Sequence, residues 1–144
     1  MANLRFGVVL GQRGGALAQM VPLYRKYMGS PLGSGRQWFS WIHETDLING
    51  IDFLLGHKFI EGPVNFTAPH PVQNRELVES MKEVLRRKSI IPAIPGFFIK
   101  CLLGEFSEVF LKGQRAIPAQ LVENGYKFYF SDFKECLTDL LSPK

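Results

Sequence analysis

The apolar pattern changes period along the chain. Leu4 to Leu10 is a near-continuous apolar run with little alternation, which predicts a strand buried on both faces of a parallel sheet. A glycine loop follows, Gly11-Gln12-Arg13-Gly14-Gly15. Helical spacing then appears, with Leu17, Met20, Val21, Tyr24 and Met28 on one face. After the loop from Gly29 to Gly35, residues Arg36 to Ile42 read as a short aromatic strand. From Thr45 to Leu55 the spacing predicts a helix that turns Leu47, Ile48, Ile51, Leu54 and Leu55 inward. Val64 to Ala68 reads as another strand. Asn74 then caps a helix with Leu77, Val78, Met81, Val84 and Leu85 inward. Alternating strands and helices of this kind predict an α/β fold. The last third is cut into short helices by Pro92, Pro95, Gly104, Gly113 and Pro118. Asp132 and Glu135 form a capping box for a final helix through Phe133, Cys136, Leu137, Leu140 and Leu141.

Composition narrows this picture. The chain has 144 residues, enough for about one domain with a sizeable core. Hydrophobic residues make up 46% and charged residues 21%, a globular balance rather than a disordered one. The net charge of +4 permits an anionic ligand without demanding nucleic acid. Cys101 and Cys136 lie in apolar, helix-like stretches without C-x-x-C spacing and are expected to be buried, reduced thiols. There is no leader pattern and no run of the roughly 20 apolar residues that a spanning helix needs. The expectation is a soluble, cytoplasmic protein with neither membrane nor nucleic-acid partners; an upstream targeting segment would redirect it to the mitochondrion.

Candidate chemistry is sparse. The segment Leu4 to Leu17 runs strand, glycine loop, helix, but G-x-G-x-x-G is not met: position 13 is Arg and position 17 is Leu. The loop instead suits a ligand cleft at a strand's C-terminal end. Arg36, Trp38, Phe39 and Trp41 set one cation among three aromatics. This is either a wall for an anionic or ring-bearing ligand or a core strand with a surface arginine. His43 and Asp46 stand three apart at a helix start, where an acid suits the helix N-terminus. His43, His57 and His70 have no metal-ligand spacing, and no G-x-S-x-G is present. The run Arg86-Arg87-Lys88 reads as a solvated helix end.

Four segments in order carry a resemblance. They are Leu4-Arg5-Phe6-Gly7-Val8-Val9-Leu10-Gly11; Gly33-Ser34-Gly35-Arg36-Gln37-Trp38 through Trp41-Ile42-His43-Glu44-Thr45-Asp46; Gly62-Pro63-Val64-Asn65-Phe66-Thr67-Ala68-Pro69 with Arg75-Glu76-Leu77; and Gly113-Gln114-Arg115-Ala116-Ile117-Pro118 with Gly125-Tyr126. Together they resemble the nucleoside-diphosphate-sugar-epimerase-like proteins of the extended short-chain dehydrogenase/reductases, in the branch that ends in a domain of unknown function. The resemblance implies the last strands and helices of a Rossmann-like sheet (1–88) followed by a small, mainly helical substrate domain (89–144). It implies NADP or NAD as coenzyme, with the nicotinamide passing Phe6, Gly7, Val8 and Val9. It also implies a small-molecule substrate beside Gly14, Arg36, Trp38 and Arg115, and self-association is compatible with it.

The family's Tyr-x-x-x-Lys pair is absent: Tyr24, Tyr27, Tyr126 and Tyr129 are followed four residues on by Met28, Pro31, Phe130 and Phe133. Phe39 stands where such epimerases place a diphosphate arginine, so the resemblance does not name a nucleotide sugar. The expectation is a substrate-side fragment of an NAD(P)-dependent oxidoreductase or epimerase-like protein, inactive alone and binding coenzyme weakly or not at all. The alternatives are a non-catalytic coenzyme-binding or regulatory module, or a truncated product without a function of its own.

Overall fold

The computed structural model describes residues 1–12, 14–26, 35–87, 101 and 115–141. Met28, the loop 27–34, Lys88 and the breakers Pro92, Pro95, Gly104 and Gly113 lie outside them. The expected strand Leu4–Leu10 is two strands, β1 (Ala2–Phe6) and β2 (Val8–Leu10). Gly7 divides them because the chain changes partner there. The Gly7 amide donates to the Phe66 carbonyl at 3.0 Å, and the next amide, Val8, donates to the Ser40 carbonyl at 2.8 Å. Accordingly β1 runs parallel to β5 (Gly62–Phe66), while β2 runs parallel to β4 (Trp41–His43). A Cβ on Gly7 would come within 2.8 Å of both the Ser40 carbonyl oxygen and Thr67 Cγ2, closer than a side chain tolerates.

The expectation of burial on both faces fails for β1: Leu4 and Phe6 are 38% and 55% exposed. It holds better for β2. Side chains on a strand alternate faces, and β2 sends Val8 and Leu10 to one apolar cluster and Val9 to another. Likewise β4 sends Trp41 to the first cluster and Ile42 to the second. The β2–β4 ladder is thus a partition with a core on each side.

The first cluster joins Leu10, Trp41 and Phe39 to helix α1 (Ala16–Arg25), helix α3 (Asn74–Leu85) and the final helix, α5 (Phe133–Leu141). On α3, Leu77, Val78 and Met81 are buried as expected, and on α5 Phe133, Cys136, Leu137 and Leu140 are buried. Each large apolar side chain taken from water in this way stabilises the fold by about 1.5–3 kcal/mol. Of the expected capping box at α5, one bond forms: the Glu135 amide donates to Asp132 Oδ1 at 3.0 Å. The start of α3 differs. Its Asn74 is buried, Gln73 is the capping position, and the first amides are met by backbone: Asn74 donates to the Gln37 carbonyl at 2.8 Å and Arg75 to the Gly35 carbonyl at 2.9 Å.

The second cluster is Ile42, Ile60, Val64, Phe66 and Leu121, the last from α4 (Ala119–Glu123), with α2 (Glu44–Leu55) packed against it. The α2 face is rotated from expectation. Ile48 and Leu55 are 65% and 70% exposed, whereas Asp46 and Gly50 are buried. Gly50 lets Phe66 press on the helix, since a Cβ there would lie 2.9 Å from Phe66 Cε1. Asp46 is turned inward by the partners it finds there, described below.

The aromatic stretch 36–42 also divides, into β3 (Trp38–Phe39) and β4, with β3 antiparallel to β6 (Val72–Gln73). Cys136 is buried as expected; Cys101 is exposed, contrary to expectation, and both are free thiols. Among the described residues no helix is long and apolar enough to cross a membrane.

Candidate functional site

The ends of the two parallel ladders meet at Gly7. Ser40 sits between β3 and β4, and Thr67 directly follows β5. Both bracket Gly7 on its Cβ side. Both also hold Ala116. The Ala116 amide donates to Ser40 Oγ at 2.9 Å, and Thr67 Oγ1 donates to the Ala116 carbonyl at 3.4 Å. One residue on, Asn65 Nδ2 donates to the Ile117 carbonyl at 3.1 Å. Three polar side chains from one sheet region thus hold a short irregular segment across the strand ends. Its first residue, Arg115, puts its guanidinium carbon 5.1 Å from the centre of the Trp38 ring, within the range of a cation–π contact.

The expected site residues fall as follows. Phe6 closes β1, exposed, with its ring 5.6 Å from that of Phe66. Gly7 is the strand switch, and protein rather than open space fills its Cβ side. Val8 and Val9 belong to β2 and are half-buried in opposite clusters. Trp38 and Arg115 are brought together. Gly14 has open space beside its Cα, and Arg36 is exposed just ahead of β3. Ser40, Asn65 and Thr67 did not stand out in the sequence. A lone hydroxyl interrupting Trp38-Phe39-Ser40-Trp41 was the available signal for the first of them.

A second constellation lies at the start of α2. Asp46 is wholly buried. Its Oδ1 accepts from the Tyr126 hydroxyl at 2.8 Å and the Tyr129 amide at 2.8 Å, and its Oδ2 accepts from the Phe130 amide at 2.9 Å. Burial, and then this carboxylate, push the Tyr126 phenol above its ordinary range. His43 caps α2. Its Nδ1 accepts from the Thr45 amide at 2.9 Å, and because an amide only donates, Nε2 carries the proton and donates to Asp139 Oδ2 at 2.9 Å. The ring stacks on Phe130 at 4.0 Å. Cys136 is held well above the usual thiol range by burial and then by the Asp139, Asp46 and Glu44 charges, so it stays protonated and unreactive. These groups fasten the C-terminal segment. Among the described residues no group of three or more His, Cys, Asp or Glu is placed to hold a metal ion.

Comparison with known proteins gives this geometry a context. Residues 94–140 match the protein family described as Domain of unknown function (DUF1731). The chain is 44% identical over 141 residues to the Epimerase family protein SDR39U1 homolog, chloroplastic, of Arabidopsis thaliana, covering 98% of this chain and 40% of that one. It is 39% identical to the Epimerase family protein YfhF of Bacillus subtilis, covering 97% and 46%. Among solved structures, human epimerase family protein SDR39U1 (isoform 2) with NADPH superposes with a TM-score of 0.86 at 32% identity, covering 96% of this chain and 47% of that one. The chain therefore spans less than half the length of the relatives it matches. Its fold is that of the C-terminal portion of Rossmann-like epimerases. By sequence it is a homologue of that portion of the epimerase family proteins, as the four motif segments led one to expect.

Proposed function

We propose that this chain is the substrate-side part of an NAD(P)-dependent oxidoreductase of the epimerase-like kind. It is inactive alone and pairs a small-molecule substrate with a nicotinamide held mainly by other parts of the fold. The observation that supports this most is the Gly7 junction. There one pair of hydroxyl residues, Ser40 and Thr67, touches the Phe6–Val9 turn on one side and the Arg115–Ile117 segment on the other. In open α/β sheets ligands sit outside the carboxyl ends of parallel strands, and β1 and β5 both end here.

In this reading the nicotinamide passes the backbone of Phe6, Gly7, Val8 and Val9. The glycine keeps the turn tight by letting Ser40 and Thr67 close behind it. Trp38 and Arg115 form the substrate wall, with Gly14 and Arg36 at its margin. The chemistry supplied by a bound nicotinamide is hydride transfer. The residues of this chain orient the substrate and exclude water. The human relative's NADPH supports NADP or NAD as the coenzyme. The protein works in the cytoplasm, with neither a nucleic-acid nor a membrane partner.

The test is a fluorescence titration of NADPH with residues 1–144. The expected outcome is no saturable change in the micromolar range, because the sequence has no G-x-G-x-x-G to seat the diphosphate. A micromolar Kd overturns this division of labour.

A further inference from the structure

We propose that Arg115, laid over the Trp38 ring, is an oxyanion-binding group, and that the substrate carries a carboxylate or phosphate which this arginine takes. The inference rests on the proposed function only in reading this side of the junction as the substrate's.

Three observations carry it. First, Arg115 is exposed, and its guanidinium lies against an indole face rather than a carboxylate. Two other cations are taken up by acids, Lys82 by Glu79 and Lys134 by Glu83. Among the described residues no acid lies within ion-pair distance of the Arg115 guanidinium. A guanidinium over a ring satisfies its face and keeps its in-plane N–H donors for a ligand, in the fork that fits a carboxylate or phosphate edge.

Second, the backbone beside this arginine is held by side chains of the sheet region. The amide and carbonyl of Ala116 and the carbonyl of Ile117 each bond a different side chain, Ser40, Thr67 and Asn65. Holding the backbone lowers the ordering cost of binding through the exposed side chain it carries.

Third, the fastening residues are those that flank Gly7. The hydroxyls of Ser40 and Thr67 thus hold the backbone next to Arg115, while the Ser40 carbonyl and the Thr67 methyl group bound Gly7 at the ends of β1 and β5. Ser40 and Thr67 act as positioning residues for the arginine.

Intrinsic fluorescence gives a direct test, because Trp38 is half-buried whereas Trp41 is wholly buried with its Nε1 bonded to the His70 carbonyl. The chain is titrated with inorganic pyrophosphate, with malonate and with neutral galactose, at ionic strength held constant with chloride. Saturable changes are expected with pyrophosphate or malonate and none with galactose. Arg115→Gln weakens the anion midpoint by about tenfold or more, as loss of a charge-assisted bond does. Ser40→Ala weakens it by less and is rescued by Ser40→Thr. Tighter pyrophosphate assigns a phosphate-bearing substrate, and tighter malonate a carboxylate-bearing one. No saturable response to either anion, or equal midpoints in wild type and Arg115→Gln, overturns the proposal. NADPH carries phosphates of its own, so it is titrated against both wild type and Arg115→Gln: anion binding at Arg115 together with tight NADPH binding that persists in Arg115→Gln keeps this inference and loses the division of labour above.

Discussion

Residues 115–117 and residues 126–130 belong to one C-terminal segment, yet they meet the rest of the chain through different chemistry. The first stretch is held by three neutral side chains, at 2.9, 3.1 and 3.4 Å, in exposed or half-buried surroundings. The second closes on one wholly buried carboxylate, which takes a phenol and two backbone amides. A neutral bond near water is replaced by water at little cost, whereas a buried anion stripped of donors has nowhere to go. The difference separates a fixed anchor from an adjustable edge. The anchor lies at the start of α2, away from the Gly7 junction, and the adjustable edge lies on it. In the proposed reading the substrate wall is held by bonds whose loss costs the fold little, and the anchor by bonds whose loss costs it much.

The largest predicted effect tests the anchor. Asp46→Ala leaves the Tyr126 hydroxyl and the Tyr129 and Phe130 amides without their acceptor. The expected loss is about 3 kcal/mol or more, at roughly 1–3 kcal/mol for each buried donor left unmet. Urea denaturation followed by circular dichroism measures it. Hydrogen exchange should speed first across 126–130 and only later in α3. A loss below about 1 kcal/mol would mean that water replaces the carboxylate and that the two attachments are alike.

The sequence made much of this frame legible, and the reasons for the failures are local. Strongly periodic elements such as α3 and α5 are as expected, because Leu77, Val78 and Met81 and Cys136, Leu137 and Leu140 obey helical spacing and meet each other. The strand Leu4–Leu10 was misread as one element because hydropathy records burial and not partner. Nothing in the string Phe6-Gly7-Val8 tells that consecutive amides bond segments far apart in the chain, Phe66 and Ser40. The α2 face differs because Ile48 and Leu55, apolar at inward spacing, are exposed, while Asp46 and Gly50, which hydropathy does not mark, are buried. A carboxylate turns inward only when donors await it, and these come from about eighty residues away. The site was legible as motif and not as geometry: Trp38 and Arg115 were named apart, and the hydroxyls that bring them together carry no pattern.

A middle-sized effect comes from titration, since only the anchor contains an ionisable donor. Folding holds the Tyr126 phenol protonated, above its ordinary 10.0. A group raised in the folded state contributes stability that is whole below its unfolded pKa and is lost as pH rises through the folded one. Wild type should therefore lose stability as pH climbs past about 10. Tyr24 and Cys136 are raised in the same direction by burial and contribute to the same decline. Tyr126→Phe isolates the anchor's share. It costs about 1–2 kcal/mol at neutral pH, for a lost bond to a charged acceptor, and its alkaline decline is shallower than wild type's. Parallel urea midpoints for the two proteins from about pH 8 to about pH 11 would show that the phenol carries no such role.

The smallest effects test the edge. Thr67→Val keeps the side-chain shape, and with it the Cγ2 that bounds Gly7, and removes only the hydroxyl bonded to the Ala116 carbonyl at 3.4 Å. That bond is long, and although Thr67 is buried, the Ala116 it bonds is only half-buried, so stability should fall by about 0.5 kcal/mol or less. Ser40→Ala removes an acceptor at 2.9 Å from the Ala116 amide and should cost about 1 kcal/mol. The informative readout is the ratio of stability lost to motion gained. If 115–117 is an edge held for ligand rather than for the fold, both variants lower the urea midpoint far less than Asp46→Ala does, while the Ala116 amide exchanges faster and the Trp38 emission shifts. Midpoint losses comparable to that of Asp46→Ala would make the two attachments equal parts of the scaffold, and the distinction between anchor and edge would fall.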